Sequence, residues 1–172
     1  MHKYGSEHTL AGRVYIQASL HADEVPGMLV VNHLIKMLDA ADSRGEIMKE
    51  IVIVPFANPI GLSQFIFGTH LGRFSFDSTT NFNREWKDFT TAVWEVVRDK
   101  LTADAEANVR LIRVAIANVI ANMTPETEEE SLKHVLLQQA AVSDVVMDLH
   151  CDSNAVMHMY THDRLWPAMV RS

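Results

Sequence analysis

The sequence predicts an α/β domain in which a central, largely parallel but mixed β-sheet carries helices on both faces. Three observations lead there. An alternating, β-branched run (RVYIQASL, Arg13 to Leu20) is followed by a helical pattern and then by a continuous apolar run, Ile51 to Phe56. Strand, helix, strand in that order is the signature of a parallel βαβ crossover. After a long helical stretch the chain returns to strand at Ser143 to Cys151 (SDVVMDLHC).

Each element has a local reason. Pro26 and Gly27 open the first helix, where Met28, Val31, Leu34, Ile35 and Leu38 recur on one face; Ser43-Arg44-Gly45 closes it. The unbroken apolar run IVIVPF reads as a strand covered on both sides. From Ala57 to Glu85 no period survives. Asn58-Pro59, several glycines and STTNFN mark a long irregular segment, and its phenylalanines (Phe65, Phe67, Phe74, Phe76, Phe82) argue for a packed functional loop. Helix dominates from about Trp86 to Ala141, with Thr124-Pro125-Glu126 marking a fresh start. Ala155 to Thr161 reads as a further extended segment, too stretched for His158 and His162 to share one ion, since four residues of strand span about 13 Å. No boundary divides the chain, so residues 1–172 are expected to form a single hydrolase-like domain.

Composition narrows the function classes. At 172 residues, 48% hydrophobic and 22% charged, the chain has an ordinary globular make-up. A formal charge of −7 with no Lys/Arg cluster argues against nucleic acid as a partner. No apolar run approaches the ~18 residues of a membrane span, so no membrane partner is expected. The N-terminus lacks a signal-peptide core, and the single cysteine, Cys151, excludes an intramolecular disulfide. A cytoplasmic location fits both; an oligomer is left open.

The chemistry gathers at two strand ends. SLHADEVPG puts His21 and Glu24 three residues apart where a strand meets a helix, and ligands of α/β sheets collect at such ends. Taken alone, H-x-x-E is short and common, and two polar residues at an ordinary bend account for it equally. His150 closes the strand VVMDLH and could supply a third ligand; Asp148, two residues earlier on the same strand face, could hydrogen-bond to it and fix its tautomer. Three protein ligands with a position left for water is the pattern of a hydrolytic zinc site. Cys151 faces away from His150 on a strand and has no evident activating base, so it reads as a small buried hydrophobe.

LHADEVPG, VPFANPIG, NFNRE and MDLH, in that order and spacing, resemble the succinylglutamate desuccinylase/aspartoacylase family of the zinc carboxypeptidase clan. The resemblance spans roughly His21 to Asp152. It implies a carboxypeptidase-like α/β fold and one zinc ion held by His21, Glu24 and His150. It implies that Asn83 and Arg84 bind a substrate carboxylate, and that Arg73 polarises the scissile carbonyl. A planar guanidinium suits both tasks. The implied reaction is removal of an acyl group from a small N-acyl amino acid, a carboxylate-bearing amide. Two alternatives stand beside it: a zinc carboxypeptidase acting on peptides, and a catalytically silent metal-binding fragment. The last arises because the family's general-base Glu lies well downstream of the final zinc ligand, while this chain ends at Ser172; the expectation is an incomplete C-terminus. Three motif positions depart from the family pattern: Ala22 stands where Gly is usual, and Asn81-Phe82 stand where the Asp-Leu of Asp-Leu-Asn-Arg is usual.

Overall fold

The computed structural model describes residues 1–5, 12–152, 154 and 156–162. The elements run β1 (His2–Tyr4), β2 (Val14–Ala18), α1 (Val25–Ser43), β3 (Ile51–Val54), α2 (Pro59–Leu62), a small hairpin β4 (Phe65–Ile66) and β5 (Thr69–His70), α3 (Thr90–Val97), α4 (Ala105–Ala121), α5 (Glu128–Ala140) and β6 (Val145–Leu149). The main sheet has the order β1-β3-β2-β6. β2 runs parallel to both β3 and β6, and β1 pairs antiparallel with β3. The sheet is therefore mixed and mostly parallel, as the sequence predicts.

Side-chain alternation divides the two faces. Ile16, Ala18 and Ile53 point to α1, where Val31 is fully buried and Leu34, Ile35 and Leu38 pack beside it. Gly27 lets α1 lie close to the sheet: a Cβ there would meet the Leu149 carbonyl oxygen at 3.0 Å and the Ala18 Cβ at 3.4 Å. On the far side Leu136 of α5 joins Leu20, Ala57 and Phe82 in a second core. A third core ties α3 to α4 through Val93, Val97 and Ala115. β6 is an edge strand, and Val145, Val146 and Met147 on it stay about half exposed.

The structure differs from the sequence reading in places. α5 begins at Glu128 with Thr127 as its cap, the Thr127 hydroxyl accepting from the Glu130 N–H. Pro125 thus precedes the helix, because the capping hydroxyl two residues later satisfies the first turn better. Within the irregular segment, Asn58 caps the short helix α2 through a bond from the Gly61 N–H. Residues 156–161 form no strand; residue 155 lies outside the described residues. β1 went unpredicted, since three residues carry no period to read.

Candidate metal centre

The sheet order brings the C-terminal ends of β2 and β6 side by side, with Ala18 in register with Leu149. His150 follows Leu149 directly, and His21 comes three residues after Ala18. Between Ala18 and α1 the chain turns sharply through Ser19, at φ 66°. The turn is clamped from outside: the Ala22 N–H donates to the Gly72 carbonyl at 2.9 Å, and the Asn58 amide donates to the Leu20 carbonyl at 2.9 Å. Asn58 is fully buried, so the VPFANPIG motif acts here as a brace for the strand end. Ala22 fits because glycines face it: its Cβ would lie 3.0 Å from a Cβ at Gly61 and 2.7 Å from one at Gly72.

Glu24 stands at the N-cap of α1, yet its carboxylate makes no capping bond. It turns inward. Oε1 lies 2.9 Å from His21 Nδ1 and accepts from Arg73 Nη2 at 2.6 Å. Oε2 lies 2.8 Å from His150 Nδ1 and accepts the Cys151 backbone N–H at 2.8 Å. The two rings sit edge to face, with centroids 4.7 Å apart. One donor atom each from His21, Glu24 and His150 falls within 4.8 Å of the others, which makes these three a candidate metal-binding group.

Tautomers sharpen that reading. Asn81 Oδ1 accepts the Asn83 backbone N–H at 2.8 Å, which identifies it as oxygen, and it lies 2.8 Å from His21 Nε2. Nε2 of His21 therefore carries hydrogen. His150 Nε2 lies 2.8 Å from Asp148 Oδ2 and must donate likewise. Both rings then aim Nδ1 at Glu24. A neutral imidazole would set a lone pair against a carboxylate oxygen there, so positive charge belongs between them: a proton on each ring, or one divalent cation. Two imidazole nitrogens and a carboxylate, each histidine held by an outer oxygen, fit such an ion.

The electrostatics agree. Burial pushes the Glu24 carboxyl up, but bonds from the Cys151 N–H, His21 and His150 outweigh it and hold it below the usual carboxylate range. The hydrogen bond to Asp148 raises His150 against the opposing effect of its burial, and the Asp148 and Glu24 charges add to the rise. Burial and the charges of Glu24, Asp152 and Asp23 push the Cys151 thiol up, which disfavours a nucleophilic thiolate.

Arg73 is thus placed against the cluster. Asn83 comes close, its amide nitrogen 3.3 Å from His150 Nε2 and its Oδ1 accepting from Trp86 Nε1 at 3.0 Å. Arg84 is exposed, and its guanidinium folds onto the Asn83 carbonyl. Glu85 is not brought to the cluster; it is exposed and lines a separate cavity with Lys133 and His134. Asn81 was missed from sequence. Its signal was the polar-apolar-polar alternation of Asn81-Phe82-Asn83: Phe82 is buried in the core while both asparagines turn toward the histidines.

The profile of the succinylglutamate desuccinylase/aspartoacylase catalytic domain matches residues 11–168. The chain belongs to the succinylglutamate desuccinylase/aspartoacylase family. Crystal structures of two proteins assigned to that family resemble it. One, from Shewanella amazonensis, is 30% identical with a TM-score of 0.72, covering 88% of this chain and 41% of its own. The other, from Shewanella frigidimarina, is 28% identical with a TM-score of 0.73, covering 87% and 40%. The chain thus spans about two fifths of their length. No curated protein matches it. No helix among the described residues is long and apolar enough to cross a membrane.

Proposed function

We propose that the chain carries the metal site of a zinc-dependent amide hydrolase that removes the acyl group from a small, carboxylate-bearing N-acyl amino acid. The carrying observation is the convergence of His21 Nδ1, Glu24 and His150 Nδ1, with Nε2 of each ring held by an outer oxygen. Those three residues would hold one zinc ion. When bound, such an ion supplies Lewis acidity for activating water and polarising a carbonyl.

The chain's own residues would do the rest. Arg73, already against Glu24, would stabilise negative charge developing on the carbonyl oxygen. Asn83 and Arg84 would bind the substrate carboxylate; this requires the exposed Arg84 side chain to leave the Asn83 carbonyl, where it makes a single 2.7 Å bond. Asp148 and Asn81 would keep Nδ1 of each histidine free of hydrogen. The general base is assigned to none of the residues named here. A cytoplasmic setting without nucleic-acid or membrane partners suits the charge and the lone cysteine. The same geometry would serve a peptide carboxypeptidase, whose substrate also offers a carboxylate beside the amide.

The test combines metal analysis with turnover. Stoichiometric zinc, lost in His21→Ala and in His150→Ala, and hydrolysis of N-acyl amino acids by a protein spanning the length of the relatives are expected. Unchanged metal content in both variants would sink the metal site. Release of C-terminal residues from peptides, with N-acyl amino acids untouched, would turn the reading to the carboxypeptidase.

A further inference from the structure

The sheet face beneath α5 carries more polarity than a packed face needs. Side chains at Tyr15 and Gln17 of β2 and at Val146 and Asp148 of β6 point to that side, opposite the α1 face. Tyr15 is fully buried and Gln17 is 5% exposed. Burying a phenol and an amide under Leu136 is costly unless their hydrogen bonds are made. The Tyr15 hydroxyl donates to Gln17 Oε1 at 2.7 Å, which uses the amide oxygen and leaves the amide nitrogen to donate elsewhere.

Gln17 is in register with Asp148 on the neighbouring parallel strand. Asp148 uses Oδ2 to hold His150 Nε2, while its Oδ1 is buried and meets no hydrogen-bond donor among the described residues. Tyr15, Gln17, Asn83 and Asp148 all line one cavity of about 230 Å³ between the sheet and α5. The unpartnered Asp148 Oδ1 and the Gln17 side chain, whose amide nitrogen remains to donate, thus belong to register-paired residues that line the same space.

We propose that Tyr15 and Gln17 are positioning residues which, through Asp148, fix the tautomer and aim of His150 for metal binding. Gln17 Nε2 is the donor for Asp148 Oδ1 through one water, for which the cavity has room. The Tyr15 hydroxyl holds the Gln17 amide so that its nitrogen and not its oxygen faces the carboxylate. With both oxygens engaged, Asp148 cannot rotate away from His150, and Nδ1 stays directed at Glu24. The proposal rests on the metal reading of the preceding section.

The experiment measures zinc affinity of the full chain by competition with a chelator, for Gln17→Leu, Tyr15→Phe and Asp148→Ala singly and combined, alongside the melting temperature of each metal-free protein. Outer partners of metal ligands are worth about 10- to 100-fold in affinity. Asp148→Ala should lose within that range, and Gln17→Leu and Tyr15→Phe about tenfold and less. Neither should weaken binding further once Asp148 is alanine, because the line then ends before His150. A merely structural role would lower melting temperatures without that non-additivity. Affinity within twofold of wild type in both single variants, or a loss that persists unchanged in the Asp148→Ala background, would overturn the proposal. If Gln17→Leu does not fold, Tyr15→Phe decides alone. A wild-type chain that takes up no zinc would instead sink the metal site itself, and this proposal with it.

Discussion

Glu24→Gln is the most informative single change, because the carboxylate organises every other member of the cluster. It receives four contacts: His21 Nδ1 and Arg73 Nη2 on Oε1, His150 Nδ1 and the Cys151 N–H on Oε2. Glutamine keeps one acceptor and turns the other into a donor. However the amide rotates, one pair of donors then meets an NH2 group. If His21 and Arg73 are the pair, the buried His21 contact is worth about 1.5–3 kcal/mol as a bond to a charged group. Arg73 is 39% exposed, so its ion pair adds only about 0–1 kcal/mol after screening. The sum is about 3 kcal/mol, or roughly 6–12 °C in melting temperature for a chain of this size.

The assay is thermal and urea unfolding of the metal-free protein at neutral pH, wild type against variant. Acid provides a second arm. Because the Glu24 carboxyl sits below its ordinary range in the folded protein, its stabilisation is present above about pH 4.3 and is lost as pH falls through the lowered value. The gap between wild type and Glu24→Gln should therefore close at low pH. A neutral-pH loss below about 1 kcal/mol, or a gap that does not close in acid, would refute the claim that this carboxylate holds the cluster.

Three further outcomes are expected. Gly72→Ala places a Cβ 2.5 Å from the Asp23 backbone nitrogen and 2.7 Å from the Ala22 Cβ; it should cost about 1–3 kcal/mol and weaken the proposed zinc uptake, and calorimetry with metal titration checks both. Asp144 accepts the Gly12 and Arg13 N–H groups and pairs with Arg113. Burial raises its carboxyl, but those bonds hold it low overall, so its contribution is present above about pH 3.9 and lost below; Asp144→Asn should lose about 1–2 kcal/mol at pH 7 in urea unfolding, and much less at acid pH. Burial and the bond to Asp39 push the Tyr4 hydroxyl up to about 12, a contribution complete below about pH 10 and lost as pH rises toward that value; Tyr4→Phe should remove this alkaline loss from pH-dependent melting curves.

The fold was legible wherever burial imposes a period. The βαβ unit appears as read because Ile16, Ala18 and Val31 must meet across one interface, and the same constraint wrote their spacing into the chain. The convergence of the candidate metal-binding group was legible for a related reason: strand ends in a parallel sheet are forced together, so bringing His21 near His150 needed only their strands to be recognised. What stayed hidden was set by side-chain direction and by loop closure. Nothing in Arg73 or Arg84 as residue types tells that one reaches Glu24 while the other folds back on its neighbour's carbonyl. The order inside the long loop was equally silent. It depends on Gln64, a buried amide that donates to the Leu71 and Phe74 carbonyls and accepts from the Phe76 N–H.

The places where local rules are broken also point at the cluster. Ser19 is non-glycine at φ 66°, fully buried, with a hydroxyl that has no hydrogen-bond partner among the described residues. A left-handed residue of this kind costs about 1 kcal/mol or more, and an unpaired buried hydroxyl a similar amount. Five residues later Glu24 stands at a helix start without capping it, forgoing about 1 kcal/mol that a Ser or Asp would recover. Relaxing the first would be simple for a chain under selection for stability alone, with glycine at 19. Yet Ser19 is what turns the strand end so that His21 faces β6, and Glu24 can serve two histidines only because its carboxylate does not bond to its own helix. These two local costs lie within six residues on the path to the same carboxylate, as strain held at the proposed metal site would.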